Sequence, residues 1–232
     1  MIPLQINNDN FILFSKQDKI FFIFFNINDM KPFTIIVGYR ASDRAIGING
    51  TLPWKIPKDM TFFRKITTHT DTGLGKNAVI MGRNTFQSMN NQPLAGRINL
   101  VCTSMDMIDM PDINLYFVKS LDEALKKCYA LTNIQKTFVI GGEQLYRHAI
   151  NHPLCEELII NEFSTCMRLK SFDLNTINCD TFFPEINESE YELILDYNSI
   201  DSIAEIKSDF IKEQEEDLFI KIRYKKYIRK TV

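Results

Sequence analysis

One acid, two glycine-bearing junctions and a loop holding the only tryptophan are the places where this sequence could do chemistry. Asp59 stands near the start of Pro57–Thr68, where Met60, Phe63 and Ile66 recur at helical spacing and Pro57 suits the first turn. Asp59 and Phe63 are four apart, so they share the helix face that should look toward a sheet. A carboxylate there is either a helix-start group facing water or a buried acid with a chemical task. Just ahead of it, Ile46-Gly47-Ile48-Asn49-Gly50-Thr51-Leu52-Pro53-Trp54 gathers glycines, a proline and the tryptophan in one loop. At Gly141-Gly142 an apolar run ends and a helix begins; free backbone donors and the helix dipole favour a phosphate there, and missing side chains allow close approach. The same pair serves equally as a tight turn, and it is not the Gly-x-Gly-x-x-Gly dinucleotide fingerprint. Met81-Gly82-Arg83-Asn84-Thr85 repeats the junction with a basic and a hydroxyl side chain in the first helical turn. Arg83 is either a phosphate ligand or a solvated surface group. Two such junctions in one parallel sheet point to a dinucleotide lying across strand ends.

Alternating elements must position these groups. Short apolar runs at Phe33–Val37, Asn77–Met81, Arg97–Cys102, Leu115–Val118, Lys136–Ile140 and Glu157–Phe163 read as buried strands. Helical patterns fall between them at Pro57–Thr68, Arg83–Met89, Ser120–Leu131 and Glu143–Ile150. Ser120 with Glu123 three residues on predicts a capping box. Continuous apolar strands alternating with helices predict an α/β fold, a mostly parallel sheet covered on both faces. After residue 164 the pattern changes to a long loop, Ser164–Asp180, read as a surface insertion, and two closing strands, Tyr191–Tyr197 and Asp217–Tyr227. The last alternates and reads as an antiparallel edge strand. One domain over residues 33–232 is expected, preceded by an extension at 1–32. Within that extension Ile20–Ile27 reads as an extra strand, an anchor against the domain, or a segment ahead of a start at Met30.

Composition narrows the class. With 232 residues, 45% of them hydrophobic, the chain can bury one sizeable core. A net charge of −2 argues against a nucleic-acid binder. The five cysteines are odd in number and form no Cys-x-x-Cys pair, so neither a disulfide framework nor a zinc site is expected, and a reducing, cytoplasmic setting fits. The longest apolar run, Ile20 to Phe25, is far shorter than the roughly 20 residues of a membrane helix, and no signal peptide is expected. His148 and His152 are four apart, but no third ligand accompanies them and no metal is expected.

Taken in order, the Ile46–Trp54 loop, Asp59 with Phe63, Val79–Arg83 with Thr85, Pro93-Leu94-Ala95-Gly96-Arg97, Ile140-Gly141-Gly142 with Tyr146, and Asp180-Thr-Phe-Phe-Pro184 resemble the dihydrofolate reductase family. The resemblance runs from about Phe33 to the last strand. It implies an eight-stranded, mostly parallel sheet flanked by helices, and NADPH-dependent reduction of dihydrofolate to tetrahydrofolate, the carrier for thymidylate and nucleotide synthesis. Asp59 then matches the pocket acid, with Asn161, Trp54 and Leu52 in the catalytic group. Val37 and Ile140 would offer carbonyls to the pterin, Met60, Phe63, Met89 and Leu94 would line the pocket, and Arg97 would grip the glutamate tail. Ile46–Trp54 corresponds to a mobile lid. Ile46, Gly82, Arg83, Asn84, Thr85, Gly141, Gly142, Gln144, Leu145 and Tyr146 would hold the cofactor, and Thr103, Ser104 and Lys119 its 2′-phosphate. The chain departs from the family at Asn161, usually Thr, at Phe86, usually Trp, and at Ser104 and Asn84, where basic residues are common. Rival readings are a pyrimidine reductase on the same fold and a folate-binding protein with little turnover. The resemblance also implies antifolate binding, and either a monomer or one half of a fusion with thymidylate synthase.

Overall fold

Apolar runs too short for helices become the strands of one central sheet. The computed structural model describes residues 11–16, 19–24, 30–71, 73–131, 133–165, 174–202 and 219–231. In chain order the strands are β1 (Phe11–Lys16), β2 (Lys19–Phe24), β3 (Phe33–Arg40), β4 (Ala45–Gly47), β5 (Lys76–Gly82), β6 (Arg97–Cys102), β7 (Leu115–Val118), β8 (Ile134–Val139), β9 (Cys155–Thr165), β10 (Thr181–Phe182), β11 (Tyr191–Ser202) and β12 (Phe219–Arg229). The helices are α1 (Pro57–Thr68), α2 (Arg83–Ser88), α3 (Leu121–Ala130) and α4 (Glu143–Ile150).

Eight strands form the main sheet in the order β11-β12-β9-β3-β8-β5-β6-β7. From β9 to β7 every pair is parallel, and β12 runs antiparallel to both β9 and β11. The C-terminal strand is therefore antiparallel, as expected, but it lies one place in from the edge. Its Ile220, Ile222 and Tyr224 are buried on one face and its Tyr227 on the other, so side chains of this strand feed both cores. The edge is β11, whose Leu193, Ile194 and Leu195 are exposed.

Because successive strand residues point to opposite faces, β3 serves two cores. Ile35, Val37 and Tyr39 pack with α3 and α4 residues Leu121, Leu125, Tyr146 and Ala149. Ile36 looks the other way, into a cluster of Val79, Met81 and Phe86 against which Phe62, Phe63 and Ile66 of α1 pack. Helices thus cover both faces. β8 returns between β3 and β5 and ends beside Ile35 and Ile80, so the strand ends of β8 and β5 open against the second half of β3 at the point where chain order switches, the usual ligand crevice of such sheets.

Several local expectations change. Ser120 Oγ accepts the Glu123 N–H at 3.1 Å, but the Glu123 carboxylate takes the N–H of Lys119 rather than that of Ser120. The Ser164–Asp180 stretch is not simply a surface loop. β9 continues to Thr165, residues 166–173 lie outside the described set, and Leu174, Ile177 and Cys179 are buried. The carbonyls of Leu174 and Ile177 accept from the buried Arg40 guanidinium at 2.5 and 2.8 Å, which fixes this segment to the end of β3. In the N-terminal extension β1 and β2 pair as an antiparallel hairpin separate from the main sheet. Residues 25–27 of the expected strand there lie outside the described residues, as do 217 and 218 of the last one.

Candidate active site

The loop between β3 and α1 is held at both ends. β4 pairs with β10. Ile48 and Thr51 exchange backbone hydrogen bonds around Asn49-Gly50, both at positive φ (50° and 73°), a turn that Asn-Gly favours. The Asn49 N–H donates to Asp180 Oδ2 at 2.8 Å. Beyond the turn Leu52 is exposed, while Trp54 is buried edge-on to Phe163 with ring centroids 5.8 Å apart. Ile46 is buried at the loop's start.

Pro57 in the first turn of α1 leaves Asp59 in that turn. The residue keeps some surface, but its carboxyl turns inward. Oδ1 accepts from Asn161 Nδ2 at 2.5 Å, and Oδ2 lies beside Gly38 of β3. Burial raises the carboxyl from its usual 3.8 to about 6, with the Asn161 hydrogen bond acting in the opposite direction. No cationic side chain contributes. Asn161 is 3% exposed, and its Oδ1 is a buried acceptor with no partner. Such an atom costs free energy unless a ligand or water donates to it.

Along α1, Phe63 and Ile66 pack toward the sheet and Thr67 is buried there. Met60, expected on that side, is exposed instead, because one residue along a helix turns the side chain by about 100° from Asp59. Phe62, not singled out from sequence, fills the gap against Tyr224 with centroids 5.2 Å apart. Met89 and Leu94 pack partly buried against the same cluster as Phe63. Arg97, at the start of β6, is 5% exposed; Nη1 donates to Thr67 Oγ1 at 2.8 Å and Nε to the Ala95 carbonyl at 3.1 Å. Among the described residues no carboxylate pairs with it, and both desolvation and the Arg64 charge lower its pKa. A buried cation without a counter-ion is a receptor for an anion.

At the strand ends, the Gly82 N–H donates to the Gly141 carbonyl at 2.7 Å, and the Ile140 N–H to the Ile80 carbonyl at 2.9 Å. Gly141 has φ 122°, which side-chain-bearing residues rarely adopt, and a Cβ there would meet the Tyr146 ring at 3.3 Å. A Cβ on Gly142 would lie 3.2 Å from Thr85 Oγ1. Bare backbone therefore lines a cradle between the starts of α2 and α4, which fits a pyrophosphate. Tyr146 is buried and donates to the Ile36 carbonyl at 2.9 Å, whereas Leu145 faces the core and Gln144 is exposed. Val37 is buried within β3, two residues past the last register pair of β3 with β8. Arg83 and Asn84 are exposed at the start of α2, and Arg83 Nη1 contacts Met105 Sδ.

A hollow of about 100 Å³ opens between Thr103, Met105, Asp106, Phe117, Lys119 and neighbouring residues. Lys119 Nζ donates there to the Ser104 and Met105 carbonyls, both at 3.1 Å, and to Asp106 Oδ1 at 2.5 Å. Asp106 had no sequence signal, since its contact with Lys119 spans thirteen residues. Gly38 and Phe163 were missed for the same reason. His152 Nε2 sits 3.1 Å from Asp122 Oδ1, and no group of three or more metal-ligating side chains gathers among the described residues.

A switch-point crevice with glycine-lined strand ends, beside a buried acid, fits an α/β protein that binds a dinucleotide. Comparison narrows it further. The dihydrofolate reductase family model matches residues 33–215, and the chain belongs to that family. It is 35% identical over 164 residues to the dihydrofolate reductase of Heliothis virescens, covering 68% of this chain and 83% of the relative. Bifunctional dihydrofolate reductase-thymidylate synthase 2 of Arabidopsis thaliana is 36% identical over 163 residues, which is 68% of this chain but 27% of that protein. Among solved structures, the dihydrofolate reductase from Enterococcus faecalis complexed with NADP(H) and RAB-propyl aligns with a TM-score of 0.61 at 26% identity, covering 86% of this chain and 97% of the other.

Proposed function

We propose that this chain reduces 7,8-dihydrofolate to 5,6,7,8-tetrahydrofolate with NADPH, using Asp59 as the acid that organises the substrate. The supporting observation is the Asp59 carboxyl, buried, uncompensated by any cation and raised to about 6. Adding hydride to the substrate's C=N bond is easy only when its nitrogen is protonated. A buried negative charge favours that protonated form and accepts the pterin's amino and ring N–H groups. The unpartnered Asn161 Oδ1 supplies a further acceptor beside it. Val37, within β3, and Ile140, just past the end of β8, would offer backbone carbonyls to the pterin, and Phe63, Met89 and Leu94 form the apolar wall, with Met60 at its exposed flank. Arg97 meets the glutamate tail. Leu52 and Trp54 belong to the covering loop, which keeps water from the reacting atoms.

The glycine cradle fits NADPH, which when bound supplies the hydride. Gly82, Thr85, Gly141 and Gly142 would hold its pyrophosphate, with Arg83 and Asn84 at the mouth and Ile46 and Tyr146 toward the nicotinamide. Gln144 and Leu145 would contribute through the first turn of α4. Thr103, Ser104 and Lys119 would take the 2′-phosphate, with Asp106 as competitor for the lysine.

We assign this activity to residues 33–232, working as a free monomer or as the reductase half of a thymidylate synthase fusion, in a reducing cytoplasmic compartment. The four described cysteines, Cys102, Cys128, Cys155 and Cys179, are free, which supports that setting. No helix among the described residues is long and apolar enough to cross a membrane. The test is the absorbance change of NADPH oxidation with dihydrofolate, with and without an antifolate. Turnover abolished by the antifolate is expected; tight antifolate binding without NADPH oxidation would overturn the proposal.

A further inference from the structure

Three residues crowd the Asp59 carboxyl on the α1 side of the sheet. Asn161 and Phe163 are two apart on β9 and so share one face. Gly38 on β3 is the register partner of Asn161. A Cβ on Gly38 would lie 2.8 Å from two ring carbons of Phe163 and 3.3 Å from Asp59 Oδ2. The phenyl ring therefore rests on bare backbone, in the volume any side chain at position 38 would occupy, and Oδ2 borders that same volume. Phe163 is 1% exposed, and Trp54 packs edge-on against it.

We propose that Phe163 and Gly38 form a matched pair that positions and insulates the Asp59 carboxyl: Phe163 is a positioning residue that walls off Oδ2, and Gly38 is the vacancy that admits its ring. This rests on Asp59 being the pocket acid. Oδ1 has a donor in Asn161, whereas Oδ2 accepts no hydrogen bond from the described residues. A phenyl ring offers it none and excludes water from that side. The ionised form is thereby disfavoured, and Oδ2 is left for a ligand's N–H to approach from the pocket.

The charged and titratable surroundings do not supply this effect. Tyr146 on α4 is held well above the ordinary phenol range by burial and by the Asp59 charge, so it stays neutral, its hydroxyl donating to Ile36. Glu162 on β9 points to the opposite face, where Tyr39 and Lys225 bond it. Arg40, two beyond Gly38 on β3, is bonded to Asp43, Leu174 and Ile177. From β12, Tyr224 is the partner of Asn161 in register and packs on Phe62 of α1. Arg64 and Lys58 of α1 are exposed.

The test combines an NMR titration of carboxyl-labelled aspartate in the whole chain, with the Asp59 resonance assigned by its loss in Asp59→Asn, and the pH profile of kcat/KM. Phe163→Val should lower the Asp59 midpoint by about one pH unit, toward the solvated carboxylate value, and move the acid limb with it. Gly38→Ala should displace the ring and cut kcat/KM by about tenfold or more, and the double variant Gly38→Ala/Phe163→Val should recover most of that loss. An unmoved midpoint in folded Phe163→Val, or a harmless Gly38→Ala, overturns the pairing and leaves Phe163 as core packing. Where Phe163→Val does not fold, Phe163→Leu gives the same readout with the same two outcomes. The titration needs neither substrate nor cofactor, so a wild-type chain that fails to oxidise NADPH refutes the reductase reading without touching this result.

Discussion

Replacing Asp59 by Asn exchanges one oxygen for an amide nitrogen and removes one charge. The new side-chain carbonyl can still accept from Asn161 Nδ2, so the local hydrogen bond survives and the ionisation is what changes. In the folded chain the Asp59 carboxyl is raised from 3.8 to about 6. A native pKa above the unfolded one means that the folded state binds the proton more tightly. Ionised Asp59 therefore destabilises the fold: the penalty is absent below the unfolded pKa, grows between about pH 4 and 6, and is complete above it. The displacement corresponds to about 3 kcal/mol at pH 7.5 and about half that at pH 5. Asp59→Asn should accordingly be more stable than the parent at neutral pH, by up to that amount, while losing about 10²- to 10⁴-fold in kcat/KM. The activity deficit should narrow as pH falls, since acid protonates the substrate without help. Urea unfolding of both chains from pH 4.5 to 8, followed by intrinsic fluorescence, measures the first quantity, and NADPH oxidation over the same range measures the second. A stability difference that is flat with pH, or a variant less stable at pH 7.5, would refute the burial argument. Unchanged turnover at neutral pH would refute the catalytic one.

Other substitutions separate the remaining groups. Arg97→Lys cannot keep the Thr67 and Ala95 bonds and also offer a planar fork, so KM for dihydrofolate should rise roughly ten- to hundredfold with kcat nearly unchanged. A dihydropterin lacking the glutamate tail should show no such loss; equal losses with both substrates would remove Arg97 from tail recognition. Gly142→Ala places a methyl 3.2 Å from Thr85 Oγ1 and should raise KM for NADPH about tenfold, from an overpacking cost of about 1–3 kcal/mol, while leaving KM for dihydrofolate alone. Asp106→Asn releases Lys119 and should lower KM for NADPH without altering that for NADH, most visibly at low salt. A parallel change for both cofactors would place Asp106 outside 2′-phosphate recognition.

The strand and helix pattern from Phe33 to Phe163 was legible because each element's period is local: apolar runs of five or six residues between helical stretches leave little choice but a covered parallel sheet. Gly141, Gly142 and the Leu52–Trp54 loop were legible for a similar reason, as turn and approach requirements are written in residue type. The position of the last strand was not, because alternation states that a strand has a buried face but not which neighbours it pairs with. Burial of Leu174, Ile177 and Cys179 was not legible either, because the first two are held by Arg40, more than 130 residues away in sequence. Asp59 shows the division most clearly. Its place in the first turn of a helix, four residues before Phe63, was fixed by sequence. Its pKa was decided by folding alone, because burial raises it, and only the sheet register sets Gly38 and Asn161, from two different strands, beside the carboxyl group.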